Sequence, residues 1–210
     1  PGVIVGSDTL IADLWEEDAP KDAGRVLASL VSRLRGRVGT SVLTGGPNGY
    51  AVGSPGTDAW IDLADAVDLL HEAQRRSTVG QPGLAAASAD KSLHLLQRGP
   101  AAVESTARWA DEARREQGLL VRQARVVLAA ALTASGSPAS GVSPAAAAVA
   151  ADPLDEEAAQ ALIRAYVLSG NTAAGLRLSL IYEFTSVYVF NLRGNQRTAG
   201  EQSRREGGKV

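Results

Sequence analysis

Residues 22–38 read DAGRVLASLVSRLRGRV, and the order of apolar and polar residues here is the clearest helical pattern of the chain. Apolar residues recur every three or four positions, which predicts an amphipathic helix with one buried face. That face comprises Val26, Leu27, Leu30, Val31, Leu34 and Val38. Asp22 has the side chain of an N-cap, and Gly39 follows the last apolar residue. We therefore predict a helix from Asp22 to near Gly39, with Leu30 and Leu34 in the core.

The opposite face of this helix is polar and basic. It is formed by Arg25, Ser29, Ser32, Arg33 and Gly36. Residues 21–37 contain five basic side chains and one acidic side chain, a local net charge of +4, whereas residues 8–18 are acidic. An exposed face of arginine and serine can enter the major groove of DNA, where arginine reads guanine edges and serine or arginine holds phosphates. A solvated surface helix is the commoner explanation for such a face taken alone.

The segments on either side of this helix favour DNA binding. A short helix is predicted after Ser7-Asp8-Thr9, running to about Asp18. Two β-prone runs, residues 41–44 and 50–52, enclose the turn-rich residues 45–49, which indicates a hairpin. A short helix, a turn, a basic helix and a hairpin follow one another in a winged helix-turn-helix, whose hairpin contacts the neighbouring minor groove.

Beyond residue 58 the chain is predicted to be helical almost to residue 183. Alanine dominates the hydrophobic residues, and aromatic residues make up 4% of the chain, which favours helices packed through small side chains. Residues 53–57 combine backbone breakers without an apolar anchor and form the predicted linker. The predicted helices cover residues 58–76, 84–97, 106–134, 144–151 and 155–169, with a last helix from residue 172. Pro144 should make its helix weak or late to start.

An internal repeat supports the helical interpretation. The similar stretches 134–137 and 168–171 lie 34 residues apart, which is the period of a tetratricopeptide repeat. Leu162 and Tyr166 stand where that motif has a large apolar residue and an aromatic residue. In the preceding copy these positions hold Leu128 and Leu132, with small residues at Ala129 and Ala148.

Three stretches of the first part resemble a known DNA-binding domain. They are residues 10–15 (LIADLW), residues 31–35 (VSRLR) and Gly49-Tyr50. Together they are similar to the C-terminal part of the winged-helix domain of OmpR-type regulators, in the version found in actinobacterial SARP and AfsR-like regulators. The resemblance places residues 31–35 in the recognition helix and Gly49-Tyr50 in the wing. The predicted DNA-binding residues are Lys21, Arg25, Ser29, Ser32, Arg33, Arg35, Arg37, Thr44, Asn48 and Tyr50.

The second part resembles the bacterial transcriptional activation domain that follows the winged helix in those regulators. Residues 109–115 (WADEARR) and 150–156 (AADPLDE) carry this similarity. It implies tetratricopeptide-like helix pairs and a transcriptional activator that binds double-stranded promoter DNA. The repeats would contact RNA polymerase, a second protomer or a downstream sensor domain. The fold class is thus predicted to be mainly α, with a partial winged helix-turn-helix and a β-hairpin wing before a helical-repeat domain.

The two resemblances divide the chain into three predicted regions: a partial winged helix at 1–53, a repeat domain at 58–178 and a divergent tail at 179–210. The chain starts after the small sheet and first helix of the family's winged helix, and it begins with Pro1 and contains no methionine, so we expect a fragment or a processed chain. The alternative function is therefore a helical-repeat interaction module whose truncated winged helix does not bind DNA. Residues 180–190 are β-prone, from either an added strand or a changed reading frame, and residues 194–210 are expected to be disordered.

Composition argues against catalysis and against metal binding. The chain has no cysteine, and its two histidines, His71 and His94, are far apart in sequence. The glycines of residues 45–49 lack the following helix and lysine of a phosphate loop. We therefore expect no enzyme activity, no cofactor and no metal. No run approaches the ~20 apolar residues of a membrane span and no signal peptide is evident, so we expect a cytoplasmic protein without membrane contact.

Overall fold

The computed structural model describes residues 2–53, 61–101, 105 and 107–182 of the chain. Within these ranges the protein is mainly helical with one three-stranded antiparallel sheet, which confirms the predicted fold class. The strands are β1 (Val5–Gly6), β2 (Leu43–Gly46) and β3 (Gly49–Val52). The helices are α1 (Ser7–Trp15), α2 (Ala23–Val38), α3 (Asp62–Thr78), α4 (Pro82–Leu96), α5 (Arg108–Ala134), α6 (Pro138–Ala151), α7 (Glu156–Leu168) and α8 (172–182).

Two compact units emerge from the contacts between Cα atoms. Unit 1 comprises Pro1–Arg75 and Ala87–Ala124, and unit 2 comprises Arg76–Ala86 and Arg125–Val210. Their boundary runs through α3, α4 and α5, and the predicted division near residues 53–58 stays a prediction. The 27-residue helix α5 contributes to both units. Apart from Gly53, the predicted linker lies outside the described residues.

The wing of unit 1 is a tight hairpin. Strands β2 and β3 are joined by Pro47 and Asn48, a shorter turn than the predicted residues 45–49. The sheet order is β1-β3-β2, so β2 is an edge strand. Gly45 has a φ of 99°, and a Cβ there would lie 2.9 Å from the Cα of Tyr50. The hairpin therefore requires glycine at this position.

The core of the winged segment contains two of the six residues of the predicted apolar face of α2. Leu27 and Val31 are buried with Leu43 and Tyr50, and residues 10, 11 and 15 of α1 pack against them. The prediction that Leu30 and Leu34 are core was wrong, because their exposed fractions are 37% and 47%. Both line an open apolar groove of about 550 Å³.

The ends of α1 and α2 differ in detail from the sequence predictions. Helix α1 begins at Ser7 after an N-cap at Gly6, and it stops at Trp15, before the predicted Asp18, because Glu16 adopts a φ of 49°. Helix α2 begins after Asp22 as predicted, although the Asp22 side chain makes no capping hydrogen bond. The helix that would carry the basic face thus has the predicted extent.

The first helices of the repeat region are tied together by buried and half-buried polar groups. Ser92 in α4 donates a 2.6 Å hydrogen bond to the carbonyl of Ala66 in α3, and both residues are fully buried. Gln117 in α5 donates to the carbonyls of Leu96 and Gly99 at 2.7 and 2.8 Å. These bonds fix α3, α4 and the loop before α5 within unit 1.

The 34-residue echo in the sequence corresponds to a repeated helix end. Gly136 after α5 and Gly170 after α7 have φ values of 88° and 89°. The amide of Asn171 donates to the carbonyl of Tyr166, and an equivalent bond closes α5. This is the Schellman arrangement, in which a left-handed glycine satisfies the last carbonyls of a helix. Gly80 ends α3 in the same way, outside the 34-residue spacing.

The core of unit 2 consists of small residues from three helices and one large side chain. Ala129 of α5, Ala145 of α6 and Leu162 of α7 are buried together, with Tyr166 packed against them. Ala148 is also fully buried. Leu162 and Tyr166 thus face the core, as the helix-pair interpretation predicts, and no strand occurs in the described part of residues 61–178.

Helix α6 corrects the expectation for Pro144. The helix begins at Pro138, at a position where proline is tolerated, and continues through Pro144. Gly141 and Ala145, which precede and follow Pro144 in the sequence, are buried. Their packing stabilises the helix around the proline. A Cβ on Gly141 would lie 2.8 Å from the carbonyl oxygen of Ala129, so α5 and α6 meet backbone to backbone.

The approach at Gly141 recurs one repeat later at Gly175, where α8 meets α7. We expect Gly141→Ala to lower the free energy of unfolding by about 1–3 kcal/mol, because the added methyl group meets backbone that cannot yield easily. Gly118→Ala is the matched control. Gly118 lies in α5 with open space around it. Gly118→Ala should therefore raise the free energy of unfolding by about 0.5–1 kcal/mol, because alanine loses less backbone entropy on folding than glycine. Denaturant unfolding of both variants measures this, and equal stabilisation by the two would contradict the close approach.

The last described helix corrects the expectation for the start of the tail. Residues 180–182 belong to α8 and are helical, although they open the β-prone stretch. The hydroxyl of Tyr182 donates a 2.8 Å hydrogen bond to the carbonyl of Pro153, which ties α8 to the loop between α6 and α7. Residues 183–210, including the stretch expected to be disordered, lie outside the described residues.

Candidate nucleic-acid interface

The outer face of α2 is an exposed basic surface. We call it the basic face and define it by its exposed members Arg25, Ser29, Ser32, Arg33 and Arg37. Lys21, in the turn before the helix, is also exposed. The face is exposed because the sheet and α1 cover the helix on the side of Leu27 and Val31.

One member of the basic face has an acidic neighbour. The guanidinium of Arg25 lies 3.6 Å from the carboxylate of Asp22, with both side chains largely exposed. Such an exposed pair contributes little to stability, so an incoming phosphate can replace the carboxylate at small cost.

Arg35 behaves differently from the other arginines of α2. It is half-buried, and its Nε donates to the carbonyl of Leu43 at 2.8 Å while Nη2 donates to the carbonyl of Gly45 at 2.9 Å. Its guanidinium carbon stands 5.6 Å from the centre of the Tyr50 ring. The structure therefore places this predicted DNA-binding residue between α2 and the wing, with its donors directed to protein carbonyls.

The predicted wing residues fall into two groups. The ring of Tyr50 is buried in the core, and Thr44 is half-buried with its hydroxyl 3.4 Å from the carbonyl of Ala51. Asn48 is exposed in the turn of the hairpin. Of these three residues, only Asn48 has a side chain presented to a partner at the tip of the wing.

The position of the wing also depends on residues that sequence reasoning did not assign to it. Ser7, at the start of α1, donates through its hydroxyl to the carbonyl of Pro47 at 2.6 Å, and its amide donates to the carbonyl of Asn48 at 3.4 Å. In the sequence, Ser7 was used only to mark the segment before the first predicted helix. The glycines at 45 and 49 did indicate the close approach of the strands in the sequence, because such a hairpin needs residues without a side chain.

Charged residues at the start of α5 form a local ion pair. The carboxylate of Asp111 accepts a 2.7 Å hydrogen bond from Arg114, which lowers the pKa of Asp111. Arg114 also donates to the carbonyl of Ser105. The pair joins residues three positions apart along α5.

Within the residues that the structure describes, no group of three or more acidic or histidine side chains could hold a metal ion. No helix of that part of the chain is long and apolar enough to cross a membrane.

Comparison with known families decides the assignment. The model of the bacterial transcriptional activator domain matches residues 61–179. The chain belongs to the bacterial transcriptional activator domain family. A comparison with curated proteins gives no match.

Among solved structures, the chain is similar to "Mycobacterium tuberculosis EmbR in complex with low affinity phosphopeptide". The TM-score is 0.75 with 26% sequence identity, and the match covers 87% of this chain and 49% of that chain. The chain therefore spans about half the length of that relative. These matches confirm the predicted resemblance to SARP-like transcriptional regulators, and they agree with the predicted fold of a winged helix followed by helical repeats.

Proposed function

We propose that this protein is a DNA-binding transcriptional activator that holds promoter DNA with α2 and the wing. The observation that carries the proposal is the basic face, which stands exposed beside a hairpin of wing geometry. The family assignment supports the regulatory role, and the similarity to EmbR supports the winged-helix architecture. The function is binding and not catalysis.

In this proposal α2 enters the major groove by its basic face. Arg33, near the middle of the helix, is placed to reach base edges or phosphates, and Arg25 and Arg37 extend the positive charge along the groove. Ser29 and Ser32 are short, so the helix backbone can approach the DNA closely. Asn48 at the tip of the wing contacts the adjacent minor groove.

The helical repeats serve contacts with protein in this proposal. The partner is RNA polymerase or a second protomer, as the resemblance implies. The match to the activator family over residues 61–179 supports this assignment, since it covers most of the described repeats.

A salt titration of DNA binding tests the proposal. Fluorescence anisotropy of a labelled mixed-sequence duplex should show binding by the 210-residue chain that weakens steeply with salt. Each neutralised phosphate adds about 0.9 to the slope of log K against log salt. Four exposed basic residues, Lys21, Arg25, Arg33 and Arg37, thus set a limit of about 4 for their contribution. Absence of binding at low salt would favour the alternative, a helical-repeat interaction module without DNA binding.

A further inference from the structure

Arg35 connects α2 to the wing through a planar fork of donors. Its Nε and Nη2 reach two carbonyls of β2, those of Leu43 and Gly45. These residues are two positions apart on an edge strand, and both carbonyls accept from the one guanidinium. A guanidinium matches two such acceptors because its N–H groups are fixed in one plane.

The wing offers Arg35 a fixed pair of acceptors. Gly45 pairs with Tyr50 across the hairpin, and its left-handed backbone sets the direction of its carbonyl. The Tyr50 ring is buried in the core and lies against the Arg35 guanidinium. At the other end of the hairpin, Ser7 holds the turn against α1. Arg35 therefore joins α2 to the base of a wing whose tip is already held.

We propose that Arg35 is a positioning residue, which fixes the wing against α2 so that both meet DNA together, and that it does not itself contact DNA. This inference rests on the proposed DNA-binding function. It separates Arg35 from Arg25, Arg33 and Arg37, whose side chains are exposed.

Substitution by lysine distinguishes positioning from direct contact. A lysine keeps the positive charge but cannot span two carbonyls in one plane or stack its charge on Tyr50 in the same way. A phosphate contact would survive Arg35→Lys, whereas a positioning role would not. Arg177→Lys is the matched control, because Arg177 is exposed on α8 and lies outside the basic face and the wing.

The experiment compares Arg35→Lys, Arg35→Ala and Arg177→Lys in the full chain, titrated against the same mixed-sequence duplex across a range of salt. We expect both Arg35 variants to bind about tenfold more weakly with the parent's salt slope, because the wing contact that is lost runs through Asn48, which carries no charge. Arg177→Lys should keep both the affinity and the salt slope of the parent. All titrations are run below the melting temperature of each variant, so that loss of folding does not mimic loss of positioning. Binding by Arg35→Lys with the parent's affinity and slope would overturn the proposal.

A second measurement needs no DNA. In the parent chain the Nε–H of Arg35 should exchange with solvent at least about tenfold more slowly than that of Arg33, as measured by NMR, because it is half-buried and hydrogen-bonded. Exchange as fast as at Arg33 would overturn the link between α2 and the wing. If the Nε–H is protected while the parent binds no DNA at any salt, the proposed function has failed, and Arg35 is a structural link without the positioning role.

Discussion

Leu27→Ala is expected to lower the free energy of unfolding of unit 1 by about 2–5 kcal/mol. Leu27 is 4% exposed and packs with Val31, Leu43 and Tyr50, so truncation leaves a cavity between α2 and the sheet. Denaturant unfolding followed by circular dichroism measures the change. The variant should lose DNA binding only under conditions where it unfolds.

Leu34→Ala is the control for this prediction. It removes the same atoms from the same helix, but Leu34 is 47% exposed, so the loss should be only about 1 kcal/mol. A loss at Leu34 as large as that at Leu27 would contradict the described groove, because it would mean that Leu34 is fully covered in solution.

Arg33→Ala is expected to weaken binding to promoter DNA by about 1–3 kcal/mol while folding stays within about 0.5 kcal/mol of the parent. The side chain is exposed in the middle of the basic face, so the folded state loses little when it is removed. A base contact would relax specificity at one position of the site. A phosphate contact would instead weaken all sequences alike and flatten the salt dependence. Arg25→Ala should behave similarly.

Arg177→Ala provides the matched control for Arg33→Ala. Arg177 is an exposed arginine of α8, in unit 2, and its removal changes the net charge of the chain by the same amount. Competition binding with the two variants side by side separates a specific contact from a general charge effect. Equal weakening by both would contradict a role for the basic face.

The sequence predicted α2 well but not which of its apolar residues are buried. Helical period identifies the side of α2 that can face a core, and Leu27 and Leu34 share that side. Whether each is covered depends on how far α1 and the sheet extend over the helix, which no local pattern contains. The period did carry a signal for Arg35. Two residues along an α-helix correspond to a rotation of about 200°, so Arg35 faces away from Arg33 toward the wing.

In the repeat region too, the local sequence pattern predicted some features, whereas others depended on tertiary packing. The 34-residue echo predicted the equivalent ends of α5 and α7, because a left-handed glycine after a helix has a strong sequence signal. The expectation for Pro144 failed since proline's effect on a helix was weighed without the packing of Gly141 and Ala145 around it. Gly141 and Gly175 are themselves 34 residues apart, so the close approach could have been found from the same period.

The most direct test of the basic face uses the absence of cysteine from the chain. Ser32→Cys places one reactive thiol on the outer side of α2, where an iron-chelate cleavage reagent can be attached without labelling any other site. If α2 lies in the major groove, the tethered reagent should cut bound duplex DNA at positions next to the helix. Ser143→Cys, exposed on α6, should give no cleavage above that of the untethered reagent. Cleavage from position 143 but not from position 32, in a chain that binds DNA, would contradict α2 as the recognition helix.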